Sequence, residues 1–310
     1  MSQPHSKISL MWLLRGKKMN SDNGTANPNL VTRSVSHQPF DEAEMTRFSF
    51  GENWRAFLDH LDEERIEEAE RSVQELTGLA RMDGLSFIDV GSGSGLFSLA
   101  ARQLGANVFS FDYDENSVAG TTMLRDRYFP DDASWKVERG SILDTTYVKQ
   151  LGHFDVVYSW GVLHHTGAMY NAISNAASLV RPGGLFVFAL YRKTRLCWFW
   201  KWEKHWYASA TPTIQTRARA VFISLFRLAC RLKGRKFSDY VANYKSKRGM
   251  SFVHDVHDWM GGCPYESIRP IEVATMMNQL GFEPVRSITQ PYSIGVFGSG
   301  CDEFVFRRKL

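Results

Sequence analysis

The chain has 310 residues, 44% of them hydrophobic and 13% aromatic, and a formal net charge of +4. It is long and apolar enough to bury a full core, as one large elaborated domain or two small ones, which excludes an intrinsically disordered protein. Four widely separated cysteines with no CxxC pair exclude a disulfide scaffold and a cysteine-based zinc site, and they fit reduced thiols in a cytoplasmic protein.

Residues 1–40, rich in Ser, Asn, Lys and Pro and without periodicity, read as a mobile tail. The apolar stretch at 8–14 is too short for a membrane span and has no small-residue cleavage site, so a signal peptide is not expected. Residues 41–80 read as leading helices. Trp54, Phe57, Leu58 and Leu61, then Ile66, Ala69, Val73 and Leu76, recur at helical spacing, and Gly78 is a stop signal.

From residue 81 to 190 the period changes. SFIDV, NVFSF, SWKVERG, FDVVYSW and GLFVFAL are strand-like runs separated by helical stretches, with Pro182, Gly183 and Gly184 as the turn into the fifth. Nearly continuous apolar strands alternating with helices predict an α/β fold with a doubly wound, mostly parallel sheet covered on both faces. Residues 191–262 interrupt the pattern as an insert. Residues 263–310 resume it with a helix at 271–282 and two strands, EPVRSITQ and CDEFVFRRK, which would add an antiparallel hairpin at the edge and complete seven strands. No internal repeat is visible.

The charge is divided unevenly. Positions 191–250 hold fifteen Lys/Arg and two acids, whereas the remainder holds 22 basic and 31 acidic residues. The two parts therefore face different partners.

The chemistry centres on FIDVGSGSGLFSL. In an open parallel sheet the first strand-to-helix turn lies where strand order reverses, and ligands sit there. Gly91, Gly93 and Gly95 let the main chain take positive φ and leave room for a nucleoside against it. Asp112, 21 residues after Gly91, is placed to hold ribose hydroxyls.

DVGSGSG, FDYDEN, FDVVYSWGVLHHT and RPGGLFVF, in this order and at these intervals, resemble the class I S-adenosylmethionine-dependent methyltransferases. The resemblance covers about residues 48–190 and resumes from about 267, and it is nearest to the small-molecule, ubiquinone-biosynthesis-like subgroup. It implies a Rossmann-like fold, with S-adenosyl-L-methionine as cofactor and S-adenosyl-L-homocysteine as product. By the same resemblance Asp89 and the Gly91, Ser92, Gly93 and Gly95 turn would hold the amino-acid end of the cofactor. Asp112 and Tyr113 would hold the ribose, Ser141 and Ile142 would flank the adenine, and Ser159 and Trp160 would border the sulfonium. The acid that the family often places near the adenine is absent, since Asp144 is displaced from Ser141. An aromatic face at Trp160 would attract a sulfonium as it does an ammonium, or the ring is core packing.

For the acceptor side, a phenol or thiol must lose a proton, and histidine is the usual base near neutrality. His165 and His164 stand just past strand four, at the mouth of the acceptor pocket that the resemblance implies; bonding backbone carbonyls is the alternative role for each. FVHDVHDW adds His254 and His257 beside Asp255 and Asp258, a pattern that suits a His–Asp base pair, a metal, or a polar loop closing over the pocket. With no third ligand evident, no metal is assigned. Phe50, Asn53 and Trp54 would close the other side, and Tyr191 and Trp259 would line the substrate.

The insert reads as a basic, aromatic helical lid. RLCWFWKWEKHWY interleaves four tryptophans with basic residues, and RARAVFISLFRLACRLKG sets Arg217, Ser224, Arg227 and Arg231 along one stripe, with Val221, Phe222, Leu225 and Phe226 elsewhere around the helix. Three readings stay open: a lid packed on the acidic remainder, a peripheral contact of 195–234 with an anionic inner membrane surface, or phosphate recognition on RNA or a charged metabolite. The expected activity is methyl transfer to an O, S or C nucleophile of a small or lipid-like acceptor, such as a phenol, quinol or small thiol. The alternatives are an RNA-modifying methyltransferase, disfavoured because no Asn-Pro-Pro-Tyr type of motif follows strand four, and a membrane-docked enzyme acting on an anionic lipid metabolite. No obligate protein partner is inferred.

Overall fold

The computed structural model describes residues 61–248 and 252–310. The tail at 1–40, the first leading helix and Phe50, Asn53 and Trp54 lie outside the described residues, as does the side chain of His254.

Helix α1 (Glu63–Thr77) opens the described chain. Asp62 caps it by accepting from the Arg65 amide, and Gly78, at φ 73°, ends it in the left-handed region. Then come β1 (Ser86–Val90), α2 (Leu96–Gln103), β2 (Asn107–Asp112), α3 (Glu115–Tyr128), β3 (Trp135–Arg139), α4 (Thr145–Gln150), β4 (Phe154–Trp160), a short 3₁₀ turn (Leu163–His165), α5 (Met169–Ser178) and β5 (Val180–Tyr191). The insert is helical throughout its described part: α6 (Cys197–Ala208), α7 (Pro212–Leu232), α8 (Phe237–Arg248) and α9 (Phe252–Gly261). Helix α10 (Pro270–Gln279), β6 (Phe282–Ile288) and β7 (Cys301–Arg308) complete it.

The seven strands pair in the order β3-β2-β1-β4-β5-β7-β6. Strands β1 to β5 run parallel, and β7 is antiparallel to both β5 and β6. Because successive strand residues point to opposite faces, the apolar runs feed two cores. Ile88, Val157, Phe186, Phe188 and Phe304 pack with Ala172, Ile173 of α5 and Val273, Met277 of α10. Phe87, Val156, Tyr158 and Val187 pack with Ile66, Val73 of α1 and Leu99, Ala100 of α2. The strand order reverses between β1 and β4, so the carboxyl ends of these two strands frame the ligand-binding crevice of such a sheet.

Three features differ from expectation. Strand β5 begins at Val180: Phe154 pairs with Val180 and Val156 with Leu185, so Pro182–Gly184 form an irregularity inside the strand rather than a turn before it. FVHDVHDW is not a loop. It belongs to α9, because Phe252, Val256, Trp259 and Met260, at i, i+4, i+7 and i+8, all face the insert's own core. Helix α7 splits its apolar residues. Phe222, Phe226 and Cys230 are buried with Trp200 and Tyr240, while Val221 and Leu225 stand in solvent on another side.

Candidate active site

The glycine turn follows from β1 and is fastened to β2. The amides of Gly91 and Ser92 donate to the carbonyl of Phe111 at 2.9 and 3.1 Å, and the Gly95 amide donates to Ser92 O at 2.8 Å. Asp112, at the end of β2, accepts from the Gly93 amide through Oδ2 and from the Asp114 amide through Oδ1, both at 2.9 Å. Burial pushes its carboxyl up to about 6 against these bonds.

Two glycines have a packing reason as well. A Cβ at Gly91 (φ 78°) would sit 2.4 Å from Val162 Cγ1, and one at Gly95 (φ 79°) 2.9 Å from Thr121 Cγ2. The turn is thus bare partly because α3 and the chain after β4 press on it. Ser92 Oγ in turn lies 3.0 Å from Thr121 Oγ1.

Beneath the turn, Asp89 is buried and Oδ2 accepts from Ser98 Oγ at 2.6 Å. Ser110 donates to Ser98 at 2.8 Å and the Trp135 indole to Ser110 at 2.9 Å, so a chain of donors from β3 and β2 ends on this carboxylate. Burial raises its pKa to about 7, with the nearby Asp112 charge adding to the rise. Two acids thus lie beside one turn, and burial holds both toward the protonated form.

The other residues that the resemblance assigns to the cofactor stand at or just past the carboxyl ends of β2, β3 and β4. Tyr113 is exposed, with the Arg139 guanidinium 6.0 Å from its ring centre. Ser141 Oγ accepts from Leu143 N at 3.2 Å, and the carbonyl of buried Ile142 accepts from Asn175 at 2.8 Å. Ser159 is buried and donates to Val90 O at 2.9 Å, tying the ends of β4 and β1 together. The Trp160 ring stacks on Tyr158 at 5.6 Å and 11°, with Phe97 6.1 Å away, at the margin of the core under α2.

Val162 links the glycine turn to the histidines, since its carbonyl accepts from the His165 amide. The His164 ring lies 3.9 Å, centre to centre, from Tyr191, and burial drives its pKa well below the ordinary range. His165 Nδ1 is 2.7 Å from the Pro264 carbonyl, which can only accept, so Nδ1 carries the hydrogen. Burial pushes its pKa down to about 3. A near-neutral base is thus not what burial makes of either histidine.

Tyr191, the last residue of β5, is the hub of an aromatic cluster. His165, Trp259 and Tyr265 all lie 5.2 Å from its ring centre. His257 is not part of it: Nδ1 is held inside the insert, 2.7 Å from Tyr207 Oη and 2.9 Å from Arg219 Nη1. Among the described residues no cluster of three or more His, Cys, Asp or Glu has the geometry for a metal.

Sequence reasoning missed Lys204. Its side chain is 0% exposed, its Nζ stands 3.6 Å over the Trp259 ring centre and 5.3 Å from that of Tyr265, and it makes no hydrogen bond among the described residues. Neighbouring Glu203 is also buried, with neither carboxylate oxygen hydrogen-bonded among the described residues. Burial pushes the Lys204 ammonium down and the Glu203 carboxyl up. The signal was in the period: Cys197, Trp200, Lys204 and Tyr207 form the buried stripe of α6, which puts a lysine at a core position.

A family profile described as a methyltransferase domain matches residues 61–232, more than half of the chain. The chain belongs to the methyltransferase-domain family. This methyltransferase domain is similar to the ubiquinone biosynthesis O-methyltransferase of Bordetella avium, 30% identical over 118 residues, which is 38% of this chain and 46% of that protein. Its likeness to the corresponding protein of Methylobacterium nodulans is 32% over 114 residues, 36% of this chain and 43% of the other. The chain thus matches less than half the length of these curated relatives. Among solved structures, magnesium protoporphyrin IX methyltransferase from Synechocystis PCC 6803, crystallised with S-adenosylhomocysteine, superposes with a TM-score of 0.50 at 15% identity. That match covers 83% of this chain and 94% of the other, and it shows the shared methyltransferase fold.

Proposed function

We infer that this protein transfers the methyl group of S-adenosylmethionine to an oxygen of a small, lipid-like phenol or quinol. The observation that carries the cofactor half is Asp112, whose carboxylate sits at the end of β2 with one oxygen on the Gly93 amide, at the point where the strand order turns. Bound there, the cofactor supplies an activated methyl on a sulfonium. Asp112 orients ribose hydroxyls, the glycine turn leaves the methionyl end room, and Asp89 contributes negative charge beneath it.

The acceptor side rests on the cluster around Tyr191. A flat, apolar acceptor suits walls made of Tyr191, Trp259 and Tyr265, which exclude water from the displacement and hold the nucleophile in line. An acceptor hydroxyl must give up its proton. Lys204, desolvated and without a hydrogen-bond partner, is the group whose basicity burial moves toward neutrality, whereas His165 is moved away from it. His165, anchored on Pro264, packs edge-on against Tyr191 and would position it instead. The relatives named for ubiquinone biosynthesis favour oxygen over sulfur or carbon as the acceptor atom.

The test has two stages. Calorimetry with the full-length protein should show uptake of S-adenosylhomocysteine; its absence overturns the cofactor half. Methyl-labelled cofactor is then offered with a catechol carrying a prenyl tail, with a small alkyl thiol, and with bulk RNA. Label in the catechol ether is expected, and label only in thiol or RNA overturns the acceptor assignment.

A further inference from the structure

Helix α7 has a second apolar stripe that its fold does not use. Val221, Leu225, Leu228 and Leu232 recur at i, i+4, i+7 and i+11, which places them within roughly 60° of one another around the helix. All four are exposed, Leu232 at 79%. The buried stripe of Phe222, Phe226 and Cys230 lies on another side. Helix α6 repeats the arrangement: Trp198 is 72% and Trp202 62% exposed, and Trp206 follows them at the same four-residue interval. Scattered exposed apolar residues need no explanation, but two ordered stripes on consecutive helices do.

The charge around these stripes limits what can cover them. Arg217, Arg227 and Arg231 run along the flank of the α7 stripe, and exposed Lys233 and Lys236 follow it. Positions 191–250 contain only two acids, and one of them, Glu203, is buried. A second copy of the same face would be repelled. The acidic remainder of the chain leaves these side chains exposed among the described residues. RNA would satisfy the arginines but has no use for a ridge of leucines. An anionic bilayer satisfies both, since tryptophans sit at headgroup depth, aliphatic side chains enter the acyl boundary, and guanidinium groups meet phosphates. An open groove of about 620 Å³ is lined by Arg227, Phe237, Ser238, Val241 and Ala242, with the Arg227 guanidinium 4.8 Å from the Phe237 ring centre. No described helix is long and apolar enough to cross a membrane, so the contact is with its surface.

We propose that the exposed faces of α6 and α7 form a docking surface for an anionic lipid bilayer. This is independent of methyl transfer, because binding is measured without turnover. The full-length protein is sedimented with vesicles of phosphatidylcholine alone or mixed with phosphatidylglycerol. It should sediment with the anionic vesicles, little with the neutral ones, and less as salt rises. Arg227→Gln with Arg231→Gln should weaken partitioning about fivefold for each arginine removed and flatten the salt dependence. Trp198→Ser with Trp202→Ser should weaken it at every salt concentration. Leu225→Ser with Leu228→Ser provides an independent pair should the tryptophan variant misfold, and circular dichroism checks all three. Absence of binding to either vesicle, or equal binding by folded variants, overturns the proposal. So does tight binding of homopolymeric RNA, or a stripe-dependent dimer in sedimentation velocity, in place of vesicle binding.

Discussion

The hydrogen-bond network around β1 and the helical insert treat buried polarity in opposite ways. Around β1 each buried polar side chain that matters to the site is tied down: Asp89 to Ser98, Ser98 to Ser110, Ser110 to Trp135, and Ser159 to the Val90 carbonyl. In the insert, Lys204 and Glu203 are buried without hydrogen bonds among the described residues, and large apolar side chains stand in water. A buried ion without hydrogen bonds costs several kcal/mol and an exposed tryptophan stripe gives up burial energy, so the insert carries larger local penalties than the network around β1, although buried Tyr158 Oη on β4 also has no hydrogen-bond partner among the described residues. Such penalties collect where function, rather than stability, has set the residue. On that reasoning the proposed function would use the sheet as the fixed platform and the insert to set specificity.

The sharpest way to break this contrast is Lys204→Met. If Lys204 takes the acceptor proton, turnover on the catechol should fall by about 10²- to 10⁴-fold. Because the Lys204 ammonium partly offsets the buried Glu203 carboxylate, Met at 204 should by itself lower the melting temperature, and adding Glu203→Gln should restore it, so turnover is compared in the double variant. A variant that loses stability and keeps turnover would return Lys204 to a structural role. Next in size, Asp112→Ala should weaken S-adenosylhomocysteine binding by roughly a hundredfold in calorimetry, since it removes the charge-assisted acceptor at the crevice. Retained affinity would dissolve the platform half of the comparison.

Gly91→Ala tests how rigid that platform is. The added methyl meets Val162 Cγ1 at 2.4 Å on a residue at φ 78°, and a loss of about 2–4 kcal/mol is expected in denaturant unfolding. The last test is with pH. The folded, unliganded protein holds Asp112 at about 6 and Asp89 at about 7, so both are carboxylates at pH 8 and both are protonated at pH 5. Binding that prefers the charged acids should weaken as pH falls across this window, by about tenfold per unit below the pKa for one group. Asp112→Asn should flatten the lower part of the curve, and a pH-independent affinity would show that neither acid meets the ligand's charge.

How much of this was legible beforehand varies with range along the chain. All seven strands could be located, because burial on both faces leaves apolar runs that local pattern reading detects. Glycines with positive φ and an acid at the end of β2 marked the crevice because the turn chemistry is local. FVHDVHDW was harder, since its polar residues suggested a loop while the i, i+4, i+7 burial of Phe252, Val256 and Trp259 made a helix. The spacing of His164 and His165 revealed their place after β4 but not their burial, which is set by Tyr191 and Pro264, remote in sequence.

The sequence by itself determined the sheet, its crossover and the family, because periodicity, glycine placement and motif order are properties of neighbouring residues. Only the tertiary structure decided that Lys204 is enclosed among aromatic rings while Trp198 and Trp202 are not, although all three lie within seven positions of one helix. Desolvation is the physical reason. It depends on which elements close over a side chain, and no local pattern carries that information.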